Sequence, residues 1–422
     1  MNQIGKFQLR KVLGKGASAT VYLALDTFSG NEVALKVLDS EIVRSPDFDR
    51  TTTMQFMTEA SLAGKLSHPH IVSIIEASVS EESGYIALEY VPGGDLSQFT
   101  TPGELLSPED AIQIAFKCCG ALDYAFRQGI VHRDIKPANI LVVSGTDIKV
   151  SDFGAAYLRA ETGTQLEAIG SPSYMSPEQA QGEPLDYRSD MFTLGVVLYQ
   201  LFTGQRPFTA STLEDLFEKI IGEIPVTPSS LRPELSKAID DILLRMTAKR
   251  PQERYSSWAD LALDIAKAGR LSVYQSVIPD SEKFFALKNV RLLGQLDDSE
   301  LWELVLAGKW LRIPPRVVLV REGETGASLF FLGRGHAKVT REGRLLNVLD
   351  AGDCVGEMAY IKEGGILRQA TVETMTDVLV VEFEREMVDK VSLRCRHQLS
   401  LALMHSLVDR LSLADERLVG AG

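Results

Sequence analysis

The sequence predicts a multidomain α+β protein, and three observations predict it. A chain of 422 residues is too long for one ordinary hydrophobic core. Its first two-thirds pass from strand-like to helical periodicity. Its last third breaks into short, glycine-divided strands, the pattern of a small jelly-roll-like β-barrel flanked by helices.

Composition narrows the partners. With 44 Lys+Arg against 57 Asp+Glu the formal net charge is −13, which argues against binding nucleic acid or an anionic membrane through charge alone. The longest apolar run, "MFTLGVVLYQLFTG" at 191–204, is short and interrupted by Gly195 and Gln200, so no membrane span is expected. The N-terminal "MNQIGKFQLRKVLG" lacks a signal-peptide core. Cys118, Cys119, Cys354 and Cys395 show no metal-ligand spacing. The first two read as packing residues, and a reducing cytoplasm is the expected compartment.

The elements follow in order. "FQLRKVLGKGASATVYLAL" and "NEVALKVLD" read as strands, with alternation at Val21, Leu23 and Leu25 and again at Val33, Leu35 and Val37. A helical pattern over 51–66 precedes strand-like "HIVSIIEASVS" and "YIALEYV". From 107 the periods are helical, with turn clusters at 132–139 and 152–176. Gly269 and Pro279 punctuate a weakly patterned linker over 269–291. Strands fill 313–383, and helix closes the chain over 385–418. Met404, Leu407, Leu411, Ala414 and Leu418 recur at spacings of 3 and 4. Packing against the barrel is the expectation, with a homodimer seam as the alternative. This tail is too short for a helix-turn-helix module.

Three stretches of the first part carry chemistry. In "GKGASATV" (14–21), Gly14 and Gly16 would let backbone amides approach phosphate oxygens. Taken alone, a glycine hairpin turn explains the same residues. Lys36, on a strand whose alternate side chains read as buried, needs an anionic partner, and Glu59 on the following helix is the candidate. The specific signal is "HRDIKPANIL" (132–141) followed by "VSDFG" (150–154). Asp134, Asn139 and Asp152 supply what phosphoryl transfer requires, a carboxylate to orient a hydroxyl and an oxygen-ligand pair for Mg²⁺.

Together these strings resemble the eukaryotic-type protein kinases over residues 7–268, in the serine/threonine form of the bacterial members. The resemblance implies a bilobal fold, ATP and Mg²⁺ as cofactors, and protein substrates bearing Ser or Thr. It makes Asp134 the catalytic base, with Lys136 reaching the transferred phosphate and Asn139 and Asp152 holding Mg²⁺. Lys36 would grip the α- and β-phosphates, oriented by Glu59. Leu13, Gly14 and Gly16 would cover the nucleotide, while Val21, Ala34 and Leu141 sandwich the purine. Glu89 and Val91 would offer backbone groups to adenine, and Asp95 would reach the ribose. Glu178 would pair with Arg254, and Asp190 would brace the catalytic loop. Two departures keep every catalytic group: Ala19 replaces the third glycine of the loop, and Ser171 stands where threonine is usual. Ser176 replaces the alanine of the following motif. Arg133 implies control by activation-loop phosphorylation, with Thr162 and Thr164 as candidate sites; the alternative is that these two are simply polar residues of a loop.

In the last third, "GEMAYIKEGGILRQATV" (356–372) can be read as an anion cradle. Gly356, Glu357, Met358 and Ala359 would open a short helix, Arg368 would neutralise a phosphate, and Glu357 would accept from a sugar hydroxyl. Alternatively, Glu357 and Arg368 pair with each other across a turn. With "VREGETGASLFFLGRGHAKV" and "LNVLDAGDCVGEMAY", the stretch resembles the cyclic nucleotide-binding domain. Arg368, Gln369 and Thr371 then belong to the segment that closes the phosphate site, and the regulator is cAMP or cGMP. Gln369 follows neither residue choice that tracks one base, Leu367 replaces a usual proline, and the insert "KEGGIL" is long. The expected division is 7–268 kinase, 269–291 linker, 292–394 nucleotide domain and 395–422 terminal helix. The expected function is a serine/threonine kinase set by a cyclic nucleotide. The alternative is a constitutive or phosphorylation-controlled kinase whose β-domain is a ligand-free docking or dimerisation module.

Overall fold

A computed structural model of the protein describes residues 3–16, 19–38, 50–62, 65–79, 84–153, 157–158, 172–269, 278–361 and 366–419. Thr162, Thr164, Ser171 and most of the insert at 362–367 lie outside them. The chain divides into two compact units, Met1–Leu271 and Ser272–Gly422.

The first unit opens with a six-stranded antiparallel sheet. Its strand order is Gln3–Ile4, Phe7–Lys15, Ala19–Asp26, Glu32–Leu38, Gly84–Glu89 and Ile74–Val79. One face buries Phe7, Ala24, Val33, Leu35 and Ala87 in a common cluster. The opposite face sets Leu38 and Ile86 against Phe56 of the helix Arg50–Ser61. The phase of burial differs from the alternation at Val21, Leu23 and Leu25. The strand buries Ala19, Ala24 and Asp26, while those three are half-buried. The cross-strand pairing explains this, because Ala24 lies opposite Val33, whereas Val21 lies opposite Lys36 and Leu23 opposite Ala34. The larger apolar residues thus share the face that carries Lys36.

Helices dominate the rest of the unit. Pro108–Arg127 starts where the Ser107 side chain accepts from Asp110 N and Pro108 takes the first helical position. Cys118 and Cys119 are fully buried on it, as packing requires. The apolar run at 191–204 falls in Tyr187–Thr203, a helix buried along most of its length and closed by Gly204 at φ +74°. Its Phe192 and Val196 pack on Phe208, Leu216 and Ile220. Among the described residues no helix is long and apolar enough to cross a membrane.

The second unit begins inside the span expected to be linker. Asp280–Lys288 is a helix whose Phe284 ring lies 4.9 Å from that of Trp302 on the helix Asp298–Ala307. The helix buries Ser281, Phe284, Ala286 and Leu287. Two four-stranded antiparallel sheets follow. One orders Lys309–Ile313, Val378–Phe383, Leu329–Arg334 and Cys354–Val355; the other orders Val318–Val320, Thr371–Thr374, Ala337–Arg341 and Arg344–Leu349. They share a core that includes Val320, Phe330, Leu332, Val372 and Val380.

The terminal helix Leu393–Val419 corrects one expectation. Its buried side chains are Cys395, Leu399, Ala402 and Leu403, whereas Met404 is half exposed. Cys395 Sγ lies 3.5 Å from the carbonyl oxygen of Glu300, so this face meets the helix Asp298–Ala307. Burial pushes the Cys395 thiol up to about 12, which leaves it a packing group. Of the alternative seam, Met404 faces outward, while Leu407, one turn after Leu403, is half-buried. The side chains of Leu411, Ala414 and Leu418 lie outside the described residues.

Candidate functional site

Lys36 projects from the strand Glu32–Leu38 on the face covered by the Arg50–Ser61 helix. Its Nζ lies 2.6 Å from Glu59 Oε2 and 2.9 Å from Asp152 Oδ1. Burial disfavours the ammonium, but the two carboxylates outweigh it and hold the lysine above its ordinary pKa. Burial likewise opposes the Asp152 carboxylate, and Lys36 overcomes it, holding that group below the usual range. Glu59 is enclosed, and burial pushes its carboxyl up against the pull of Lys36. The residue pair expected from sequence is therefore a triad, with Asp152 drawn in at φ +62°.

The loop 132–139 carries the remaining groups. Asp134 Oδ2 accepts from Lys136 Nζ at 2.6 Å and from Asn139 Nδ2 at 3.2 Å, and Asn139 Nδ2 also donates to Asp134 O at 2.8 Å. Asp190, buried on the Tyr187–Thr203 helix, accepts from His132 N at 2.7 Å and Arg133 N at 2.8 Å. Those two amides hold Arg133 at φ +71°, outside the ordinary range of a non-glycine residue. Burial pushes the Asp190 carboxyl up, against the pull of the His132 ring and the two amides. Arg254 closes a bidentate pair on Glu178, at 2.6 and 2.9 Å, both side chains being buried.

The remaining positions line the strands around this loop. Val21, Ala34 and Leu141 are half-buried, Val91 is buried, and Leu13 is exposed. Gly14 pairs with Val21 across the hairpin, and Gly16 N donates to Ala19 O at 2.9 Å. The segment after Glu89 is tied to the strand Ile140–Ser144, since Gly93 N donates to Val142 O and Val142 N to Gly94 O. Asp95 accepts from Ser97 N at 2.8 Å, capping a short 3₁₀ turn. Glu89 pairs with Lys149 at 3.0 Å.

The second unit holds a cavity of about 560 Å³, lined by Val339, Leu349, Glu357, Met358, Arg368 and Gln369 among others. Arg368 is fixed by its surroundings. Its Nη2 donates to Ser328 O at 3.0 Å, while Nη1 is buried with no hydrogen-bond partner. Gly356, at φ +89°, passes so close that a Cβ would lie 2.5 Å from Nη1, and a Cβ on Gly326 would lie 2.6 Å from Nε. Both glycines leave room for the guanidinium. Burial lowers the Arg368 pKa, and the Glu357 and Glu382 carboxylates pull it back. Glu357 is buried at the start of the five-residue helix Glu357–Ile361. Thr371 is not in the lining; its hydroxyl oxygen accepts from Glu322 N at 3.0 Å.

Residues 7–265 match the protein kinase domain family, and residues 310–394 match the cyclic nucleotide-binding domain family. The chain belongs to the protein kinase family. It is 36% identical over 286 residues to serine/threonine-protein kinase PknB of Mycolicibacterium smegmatis, covering 66% of this chain and 44% of that protein. It is 37% identical over 284 residues to serine/threonine-protein kinase PrkC of Bacillus subtilis, covering 66% of this chain and 43% of that protein. The matches thus span less than half the length of these relatives.

A protein kinase domain implies ATP and Mg²⁺, and the residues here fit them. Nucleotide phosphates call for a lysine held cationic, and Mg²⁺ for hard oxygen donors, and Lys36, Asp152 and Asn139 provide both. Sequence reading missed two supports of the kinase loop. The His132 ring packs 4.5 Å from Phe153 with Nε2 2.9 Å from Ser151 O, and Gln179 Nε2 donates to Arg133 O at 2.8 Å. The histidine had a signal in its place within "HRD", whereas Gln179 had none. The apolar walls of the second cavity were also missed, because they come from strands distant in sequence.

Proposed function

We propose that the chain is an ATP- and Mg²⁺-dependent protein serine/threonine kinase whose activity is set by a cyclic nucleotide bound in its second unit. The observation that carries the catalytic half is Lys36 bridging Glu59 and Asp152, in a domain that also holds Asp134, Lys136 and Asn139 on one loop. Bound ATP supplies the phosphoryl group and Mg²⁺ offsets its charge. Lys36, kept cationic by its two carboxylates, would hold phosphate oxygens. Asp152 and Asn139 Oδ1 would face the cation, since Asn139 spends its Nδ2 on Asp134. Asp134 would orient the acceptor hydroxyl and take its proton at a carboxylate oxygen, with Lys136 alongside to balance charge. Val21, Ala34 and Leu141 offer the half-buried apolar surface a purine stacks on.

The regulatory half is supported by the cavity in the second unit. A buried guanidinium nitrogen with no partner is costly. An anion entering beside it would satisfy Nη1, and the apolar lining suits a nucleobase. Residues 7–268 and 292–394 are the proposed extents of the two domains. Two measurements test the function. Purified chain with Mg·ATP should phosphorylate a protein substrate on Ser or Thr, and Asp152→Ala should not. Equilibrium dialysis with labelled cAMP and cGMP should show saturable binding; absence of binding would make the second unit a docking module.

A further inference from the structure

The helix Leu393–Val419 is held at its N-terminal end to the helix Asp298–Ala307 by two polar pins. Glu303 accepts both groups that Ser392 can donate, the backbone N–H at 2.5 Å and the hydroxyl at 2.9 Å. In the other direction Arg394 reaches Asp297 at 2.8 Å and Glu300 at 3.0 Å. Among the described side chains, the buried face of the long helix beneath the pins is small, made of Cys395, Leu399, Ala402 and Leu403. Ser392 itself is exposed and sits in the non-helical stretch 389–392, between Arg385–Val388 and the long helix, whose first turn it caps by accepting from Cys395 N at 3.1 Å. By contrast, Ser281 and Ser299 of the same unit are buried.

We propose that Ser392 is a phosphoacceptor of this chain's own kinase domain, and that phosphate there frees the Leu393–Val419 helix from Asp298–Ala307. The proposal rests on the kinase reading above. In the transfer, the bond from the γ-phosphorus of ATP to ADP breaks, the Oγ–P bond forms, and the hydroxyl proton passes to Asp134. A phosphoserine carries about −1.5 to −2 charge at pH 7. It removes the hydroxyl proton that Glu303 accepts and sets a dianion against that carboxylate. Arg394, held by Asp297 and Glu300, and Arg396, 3.3 Å from Asp389, gain a stronger partner than these carboxylates. One covalent change therefore strikes both pins.

The test uses the full chain with Mg·ATP and casein as a general substrate. Tandem mass spectrometry should place phosphate on Ser392 in the wild type and none there in Asp152→Ala. Amide exchange over 399–403, beyond the turn that Ser392 caps, should then accelerate by about tenfold or more in the phosphorylated chain, while the strands of the same unit keep their protection. Ser392→Ala should show no acceleration on incubation with Mg·ATP. Labelled casein with unmodified Ser392 overturns the proposal and leaves the kinase reading standing. No labelling of either overturns both. Phosphate on Ser392 with unchanged exchange overturns the release.

Discussion

Arg368→Lys separates a binding role from a structural one. The substitution keeps a positive charge and discards the planar fork whose Nη1 is buried without a partner. A charge-assisted hydrogen bond to a ligand phosphate is worth about 1.5–3 kcal/mol, and a lysine recovers only part of the pair. A net loss of about 2–3 kcal/mol corresponds to roughly 30- to 150-fold weaker binding. Stability should respond differently. Losing the Nη2 bond to Ser328 O costs about 1.5–3 kcal/mol, while removing the orphaned Nη1 relieves about 1–3 kcal/mol, so the two nearly cancel. Isothermal titration with cAMP and cGMP, beside denaturant unfolding of the same samples, reads both quantities. Affinity equal to wild type would refute the placement of Nη1 at the ligand. Affinity lost in step with folded protein would refute the claim that the group acts on the ligand.

Three further outcomes follow from the kinase domain. Glu59→Gln leaves Lys36 with Asp152 alone, and the misplaced ammonium should lower phosphotransfer about 100-fold; steady-state assays with ATP in excess check it. Asp190→Ala strands the buried amides of His132 and Arg133 and should cost about 2–6 kcal/mol, read as a shift of the unfolding midpoint in urea. Glu178 has a folded pKa below its ordinary 4.5 because the bonds from Arg254 overcome its burial. Its stabilisation is therefore complete above 4.5 and fades as pH falls through the depressed value, so acid destabilisation below that pH should be steeper in wild type than in Glu178→Gln. Equal slopes would show that the pair does not contribute.

The loop 132–139 was legible because its contacts are local. Asp134, Lys136 and Asn139 lie within six residues of one another and bond within the loop, so a short string encodes both residue types and geometry. Lys36 and Glu59 were paired correctly, since a lysine on a buried strand must find a carboxylate. Asp152 as its second partner depends on a left-handed backbone that no spacing reveals. The sheet's burial phase was hidden for a related reason. Alternation shows which residues share a face, whereas the deeper face is decided by what Phe7 and Ala87 bring from other strands. Two helices take their buried faces from partners that the sequence does not pair. Asp280–Lys288 buries Ser281, Phe284, Ala286 and Leu287, with Phe284 against Trp302, and the terminal helix turns Cys395 and Leu399, rather than Met404, inward. The orphaned nitrogen of Arg368 was beyond sequence altogether, because it arises where Gly326, Gly356 and Ser328 converge.

The most direct test of the account is kinase activity of the intact chain across a titration of cAMP and of cGMP, at fixed Mg·ATP and protein substrate. A ligand alters activity only by binding one conformation better than another. The account predicts a saturating change in rate with at least one nucleotide, its midpoint tracking the affinity measured by calorimetry. An active kinase whose rate stays flat with both nucleotides, to concentrations that saturate the second unit, would contradict it.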